Sequence, residues 1–156
     1  MIESTLVYLI QNDNWLMLLR NKKTIDINQN KWIGVGGKKE KNESIEECAI
    51  RETFEETGLK IQSLQYHGLV LFDYEKAESE KIYVYTSNDF TGVIHECNEG
   101  TLSWIKQEDI LSLNLWQGDK LFLNHLFHHF NDLFCLHLVY DKDDSLIHYD
   151  WRNKYE

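Results

Sequence analysis

Three carboxylates, Glu52, Glu55 and Glu56, recur at positions i, i+3 and i+4. At about 3.6 residues per helical turn, this spacing sets all three within an arc of about 100° on one face. Like charges so placed cost roughly a few tenths of a kcal/mol per pair in an isolated helix, so their grouping calls for a compensating cation. Ligands offering only oxygen select a hard ion, Mg²⁺ or Mn²⁺, over zinc. A cation held this way can neutralise an anionic substrate and activate water against it. The alternative is a solvated acidic face, on which Glu47 and Glu55 flank Arg51 at four residues on either side.

The elements that must position these residues are legible around them. Ser44 followed three residues later by Glu47 forms a capping box, and Gly58 stands where a left-handed residue closes a helix, which predicts a helix near Ile45–Thr57. Just upstream, WIGVGG at 32–37 reads as a short strand entering a glycine turn, where the backbone can take positive φ and approach its neighbours closely. A hairpin is expected from 5–10 and 15–19, with a polar loop over 21–30. Further strands are predicted at 64–74, 81–86 and 101–105, a short helix at 107–111, a longer helix at 119–130, and a closing hairpin from 133–140 and 146–151. Strands interleaved with two helices imply an α/β fold, a mixed sheet covered on both faces.

The chain has 156 residues, 42% of them hydrophobic, enough for one domain spanning 1–156 without covalent staples. No apolar run reaches the roughly 18 residues of a membrane span, and the acidic Glu3 near the start argues against a secretory signal. A cytoplasmic protein is the expectation. Cys48, Cys97 and Cys135 form no CxxC pair and read as reduced thiols. A net charge of −10 opposes binding to polymeric nucleic acid. It equally opposes a polyphosphate, unless cations stand between the two. Lys22, Lys23, Lys38 and Lys39 are the candidates for guiding such a substrate. His125, His128 and His129 have helical metal-ligand spacing but no acidic or thiolate companion, and are read as a partly exposed helix face.

The string at 37–59, GKKEKNESIEECAIRETFEETGL, resembles the Nudix box, G-x5-E-x7-R-E-U-x-E-E-x-G-U, with U a bulky apolar residue. Gly37, Glu43, Arg51, Glu52, Glu55, Glu56, Gly58 and Leu59 match it, and Thr53 stands in place of the first U. The softer segments KWIGVGGK, NEGTLSW and LWQGD are similar to the MutT- or MutX-type 8-oxo-dGTP diphosphatases. The resemblance implies an α/β/α sandwich with the box helix on one face and a C-terminal helix packed on it as well. It implies Mg²⁺ held by Glu52, Glu55 and Glu56 with the carbonyl of Gly36, and Glu99 as a further ligand or water activator. Glu43 and Arg51 would orient the helix and its loop, with Gly37 and Lys38 on the substrate side. Hydrolysis would yield a nucleoside monophosphate and pyrophosphate, by a monomer or homodimer. For the base, the resemblance points to Ile33, Trp116 and Asp119, with Trp116 stacking on a purine and Asp119 bonding its edge; core and helix-cap roles are the respective alternatives. Two positions depart from the mammalian enzymes, which have Asn where Ile33 stands and a second acid where Gly118 stands. Other substrates are an ordinary deoxynucleotide, ADP-ribose, disfavoured by the absence of proline, or a dinucleoside polyphosphate, to which Tyr74 points. A non-catalytic binding module of the same fold is the reading from another class.

Overall fold

Successive side chains along a strand point to opposite faces, and here both sets are apolar. In β1 (Ile2–Gln11), Val7 and Leu9 face one way and Tyr8 the other; in β2 (Asn14–Leu19), Leu16 and Leu18 oppose Trp15 and Met17. Such a sheet must be covered twice. One face packs against Ala49 of α1 (Ile45–Thr57), the other against Phe122, Leu123 and Leu126 of α3 (Gln117–His128). The computed structural model, which describes residues 1–152, is therefore an α/β/α sandwich.

The remaining elements are β3 (Trp32–Ile33), β4 (Leu59–Tyr74), β5 (Ala77–Gly92), β6 (Thr101–Lys106), α2 (Gln107–Ile110), β7 (Phe134–Tyr140) and β8 (Leu146–Arg152). Among the described residues the sheet runs β3-β2-β1-β5-β4-β7-β8, with β6 paired to β2. It is mixed: β1 runs parallel to β5 and β4 to β7, the other pairs being antiparallel.

Helix α1 has the ends expected of it. The Ser44 side chain accepts from Glu47 N–H, Glu47 accepts in return from Ser44 N–H, and Gly58 closes the helix at φ 82°. Strands β4 and β5 are far longer than the sequence predicts, each 16 residues, because polar stretches continue the ribbon through several register shifts. Helix α3 starts at Gln117, after Trp116, so Asp119 lies within its first turn and is not its cap. It also ends before Phe130, whose carbonyl instead takes up the buried His67. A carbonyl only accepts, so His67 Nδ1–H donates to it and Nε2 accepts from the Thr86 hydroxyl at 2.6 Å. Burial pushes this imidazole down to about 4.

Candidate active site

The glycine turn is built onto the start of β1. Thr5 N–H donates to Gly37 O at 2.9 Å, and Val7 and Val35 exchange backbone bonds at 2.6 and 3.0 Å. Gly36 has φ 149°, and a Cβ there would fall 2.0 Å from Thr5 O. A Cβ on Gly37 would fall 2.5 Å from the Glu52 carboxyl carbon, so the helix carboxylate occupies the space a side chain would need. Gly36 N–H also donates to Glu56 Oε1 at 3.1 Å. Turn and helix face are thus joined directly.

Arg51 balances much of the acidic charge. Its guanidinium forks onto Glu43 at 2.8 and 2.9 Å and reaches Glu52 at 2.8, Glu55 at 3.3 and Glu40 at 3.5 Å. Glu47 is spent on the helix cap and does not join this network. Hydrogen bonding from Arg51, then from Glu40 N–H, pulls Glu43 down to about 2, while Arg51 itself is raised. Glu52 moves the opposite way from Glu43, because burial outweighs the Arg51 contact. Glu56 is pushed up to about 8, chiefly by burial, with the charges of Glu99 and Glu52 adding and Gly36 N–H opposing. Its Oε2 is buried with no hydrogen-bond partner.

These residues fit a hard divalent cation: every donor is oxygen, the carboxylates are crowded, and one buried oxygen has no partner. Among the described residues no three acidic, imidazole or thiol side chains already converge as a ligand set. Arg51 draws Glu52 and Glu55 to itself while Glu56 turns to Gly36, so assembling a metal shell requires rotation of these side chains. His125 and His128 of α3, with His129 just past its end, do not form one either, since His125 and His128 bond the carbonyls of Asp132 and Asn124.

Glu99 comes from the loop before β6 and is held by Arg20 at 3.0 Å and Lys23 at 3.2 Å. Arg20 also binds Asp26 at 2.8 Å, closing the 20–31 loop. Lys22, an exposed residue, donates its ammonium to the Cys97 carbonyl at 2.8 Å. Arg20 was not singled out from the sequence. The available signal is a lone arginine ending the apolar β2 run.

A cleft of about 590 Å³ links these groups to α3. Gly36, Gly37, Lys38, Glu52, Glu99 and Arg20 line its polar part, and Ile33, Val70, Phe72, Trp116 and Asp119 its other part. Glu55, Glu56, Arg51, Lys22 and Lys23 lie outside the lining, Glu56 behind Gly36. A larger cavity of about 750 Å³, beside Trp15 and Phe127, contains none of the acidic residues and is not where this chemistry can occur. Trp116 is 4% exposed; its indole N–H donates to Asn28 at 2.7 Å, and Phe72, Tyr74 and Tyr140 meet it edge-on. It is both cleft wall and core. Burial raises the Asp119 carboxyl to about 7. Beside it, a Cβ on Gly118 would lie 2.4 Å from Leu138 and 2.8 Å from the Tyr140 hydroxyl, which accepts Gly118 N–H. An acid at that position has no room. Tyr74 is buried, its hydroxyl donating to Asp144.

Known proteins resemble this chain in sequence and in fold. The NUDIX domain family model matches residues 2–126. The oxidized purine nucleoside triphosphate hydrolase of Mus musculus is 26% identical over 149 residues, covering 95% of this chain and 92% of that protein. The Nudix hydrolase YvcI of Bacillus subtilis is 32% identical over 115 residues, 70% of each chain. Among solved structures, the mutator MutT protein of Bacillus halodurans superposes with a TM-score of 0.87 at 24% identity, covering 99% of both chains. The chain belongs to the Nudix family and is a pyrophosphohydrolase of that family. Nudix hydrolases generally use divalent cations and act on nucleotide substrates. Among the described residues, no helix is long and apolar enough to cross a membrane.

Proposed function

We propose that this protein hydrolyses oxidised purine nucleoside triphosphates such as 8-oxo-dGTP to the monophosphate and pyrophosphate, with Mg²⁺ as its cation and Mn²⁺ as a substitute. The observation that carries the reading is the buried, unpartnered Oε2 of Glu56, set behind the glycine turn of a cleft whose other part is aromatic. Glu52, Glu55, Glu56 and Glu99, with the Gly36 carbonyl, would hold the cation. When bound, it supplies neutralisation of the triphosphate and acidification of a bound water. Glu99 is also assigned the removal of a proton from the attacking water. Arg51 positions Glu52 and Glu55 through its hydrogen bonds. Gly37 and Lys38 receive the phosphates, and Lys23 and Lys22 order the loop that carries Glu99.

At the other part of the cleft, Trp116 and Ile33 provide apolar walls for a purine. Near pH 7 the Asp119 carboxyl exists in both protonation states, so it can accept from or donate to a base edge. The similarity to the mouse enzyme supports the oxidised purine over other Nudix substrates. The buried, hydrogen-bonded Tyr74 offers nothing to a second nucleoside. The reading is completed by residues 1–156 acting as one cytoplasmic domain, as a monomer or homodimer.

Calorimetric titration with a non-hydrolysable triphosphate analogue tests it. Mg²⁺ should tighten binding at least about tenfold, or ~1.4 kcal/mol, and the analogue should tighten Mg²⁺ binding by the same factor after correction for metal bound to free nucleotide. Equal binding in a chelator would overturn the assignment of the carboxylate helix.

A further inference from the structure

Strand β5 contributes a carboxylate to the cleft that neither the Nudix box nor the sequence reading contains. Glu80 is half-buried, lines the same cleft as Trp116 and Asp119, and sits on the sheet face covered by α3. Register fixes its neighbours: Glu80 is directly across from Phe72 on β4, and Ile82 is across from Val70 there and Ser4 on β1. Phe72 in turn meets the Trp116 ring edge-on, with centroids 5.9 Å apart. The buried Ser4 hydroxyl donates to Glu80 Oε2, fixing the carboxylate. Among the described residues no lysine or arginine nitrogen comes within ion-pair distance of it. A half-buried carboxylate bonded by one hydroxyl retains most of its acceptor capacity, which it can turn toward a ligand lying against Phe72 and Trp116.

We propose that Glu80, oriented by Ser4, is a specificity-determining residue that accepts the ring N1–H and exocyclic amine of a guanine-type base. The inference rests on the functional reading above. Asp119 on α3 and Glu80 on β5 line the same cleft, so with Asp119 in its ionised form a planar base held there meets an acceptor on two edges. Ordinary guanine presents N–H donors on one of these edges only. Oxidation at C8 places a hydrogen on N7 and gives the second edge a donor as well. The pair of acids therefore favours the oxidised base, in a chain whose Gly118 leaves no room for an acid beside Asp119.

The test compares wild type, Glu80→Gln and Glu80→Leu on dGTP, dITP, which lacks the exocyclic amine, and 2′,3′-dideoxy-GTP, which lacks the 3′-hydroxyl. Wild type should prefer dGTP to dITP by about tenfold or more in kcat/KM, mostly through KM, because a site built for a donor rejects a ligand without it. Glu80→Leu should bring that ratio close to one and Glu80→Gln, which keeps one acceptor oxygen, should lower it in part, both leaving the dGTP to dideoxy-GTP ratio in place. Ser4→Ala should give an intermediate ratio. An unchanged dGTP to dITP ratio in both variants overturns the inference alone. A change confined to the dideoxy comparison overturns it too, by making a sugar hydroxyl the donor. If wild type cleaves no purine triphosphate, the functional reading itself fails and takes this inference with it.

Discussion

Replacing Glu56 with Gln should stabilise the metal-free protein and remove most of its activity, two effects that a purely structural glutamate could not combine. Glu56 is 8% exposed, its Oε2 has no partner, and Glu52 and Glu99 add to the burial that disfavours its charge. An unsatisfied buried polar group costs about 1–3 kcal/mol, and a charged one more. Holding a carboxyl raised to about 8 largely protonated at neutral pH costs about 3 kcal/mol relative to an ordinary glutamate. Glutamine keeps an oxygen for Gly36 N–H and avoids that cost, while its amide nitrogen inherits the unpartnered position of Oε2. In excess EDTA at neutral pH, Glu56→Gln should therefore raise the unfolding free energy by about 1–3 kcal/mol, at roughly 2–4 °C in Tm per kcal/mol for a chain of this size. Mg²⁺ should then raise the Tm of wild type by mass action and that of the variant much less. Turnover of a purine triphosphate at saturating Mg²⁺ should fall at least ~100-fold. The assay is a pair of thermal melts across a Mg²⁺ titration, with kcat measured on the same preparations. A variant less stable than wild type in EDTA, or one gaining as much from Mg²⁺, would show that Glu56 is not a strained metal ligand.

Three further outcomes follow from other parts of the molecule. His67 is depressed from 6.5 to about 4 by burial, so the unfolded chain binds the extra proton across that window. Its contribution is present above pH 6.5 and lost as pH falls toward 4, about 3 kcal/mol in all; chemical denaturation of His67→Phe should lack this loss, and parallel curves for both proteins would rule it out. Gly118→Asp should cost about 1–3 kcal/mol by driving a side chain into Leu138 and the Tyr140 hydroxyl, a cost absent if melts coincide. Trp116→Phe should raise KM for purine triphosphates, leave the cleaved bond unchanged, and lower Tm as the Asn28 hydrogen bond is lost; an unmoved KM would make Trp116 a core residue only.

What could be read from the chain divides by how local its cause is. Helix α1 has both ends encoded within a few residues, in the Ser44 and Glu47 exchange and in Gly58, and its bounds match the reading. The contact of Gly37 with Glu52, by contrast, is made by the fold, although both belong to the same motif. The lengths of β4 and β5 were not legible, since residues such as Ser63 and Asp89 become strand only by pairing with each other. Asp119 resembled a helix cap, yet α3 begins two residues earlier without any side-chain cap. Arg20 and Glu80 escaped notice because their partners, Glu99 and Ser4, are remote in sequence and only the sheet brings them together. Lys22 looked free to meet solvent or phosphate, but a long side chain chooses its partner in three dimensions, here the Cys97 carbonyl.

Cation-dependent cleavage of an oxidised purine triphosphate between the α- and β-phosphates is the reaction proposed for this protein. The most direct measurement supplies purified protein with 8-oxo-dGTP, dGTP and the other common deoxynucleotides, with Mg²⁺ or with EDTA, and quantifies pyrophosphate against inorganic phosphate. The expected products are pyrophosphate and 8-oxo-dGMP, with faster turnover of 8-oxo-dGTP than of dGTP and loss of turnover in EDTA restored by Mg²⁺ or Mn²⁺. Release of phosphate alone, turnover that survives the chelator, or no preference for the oxidised base would contradict it.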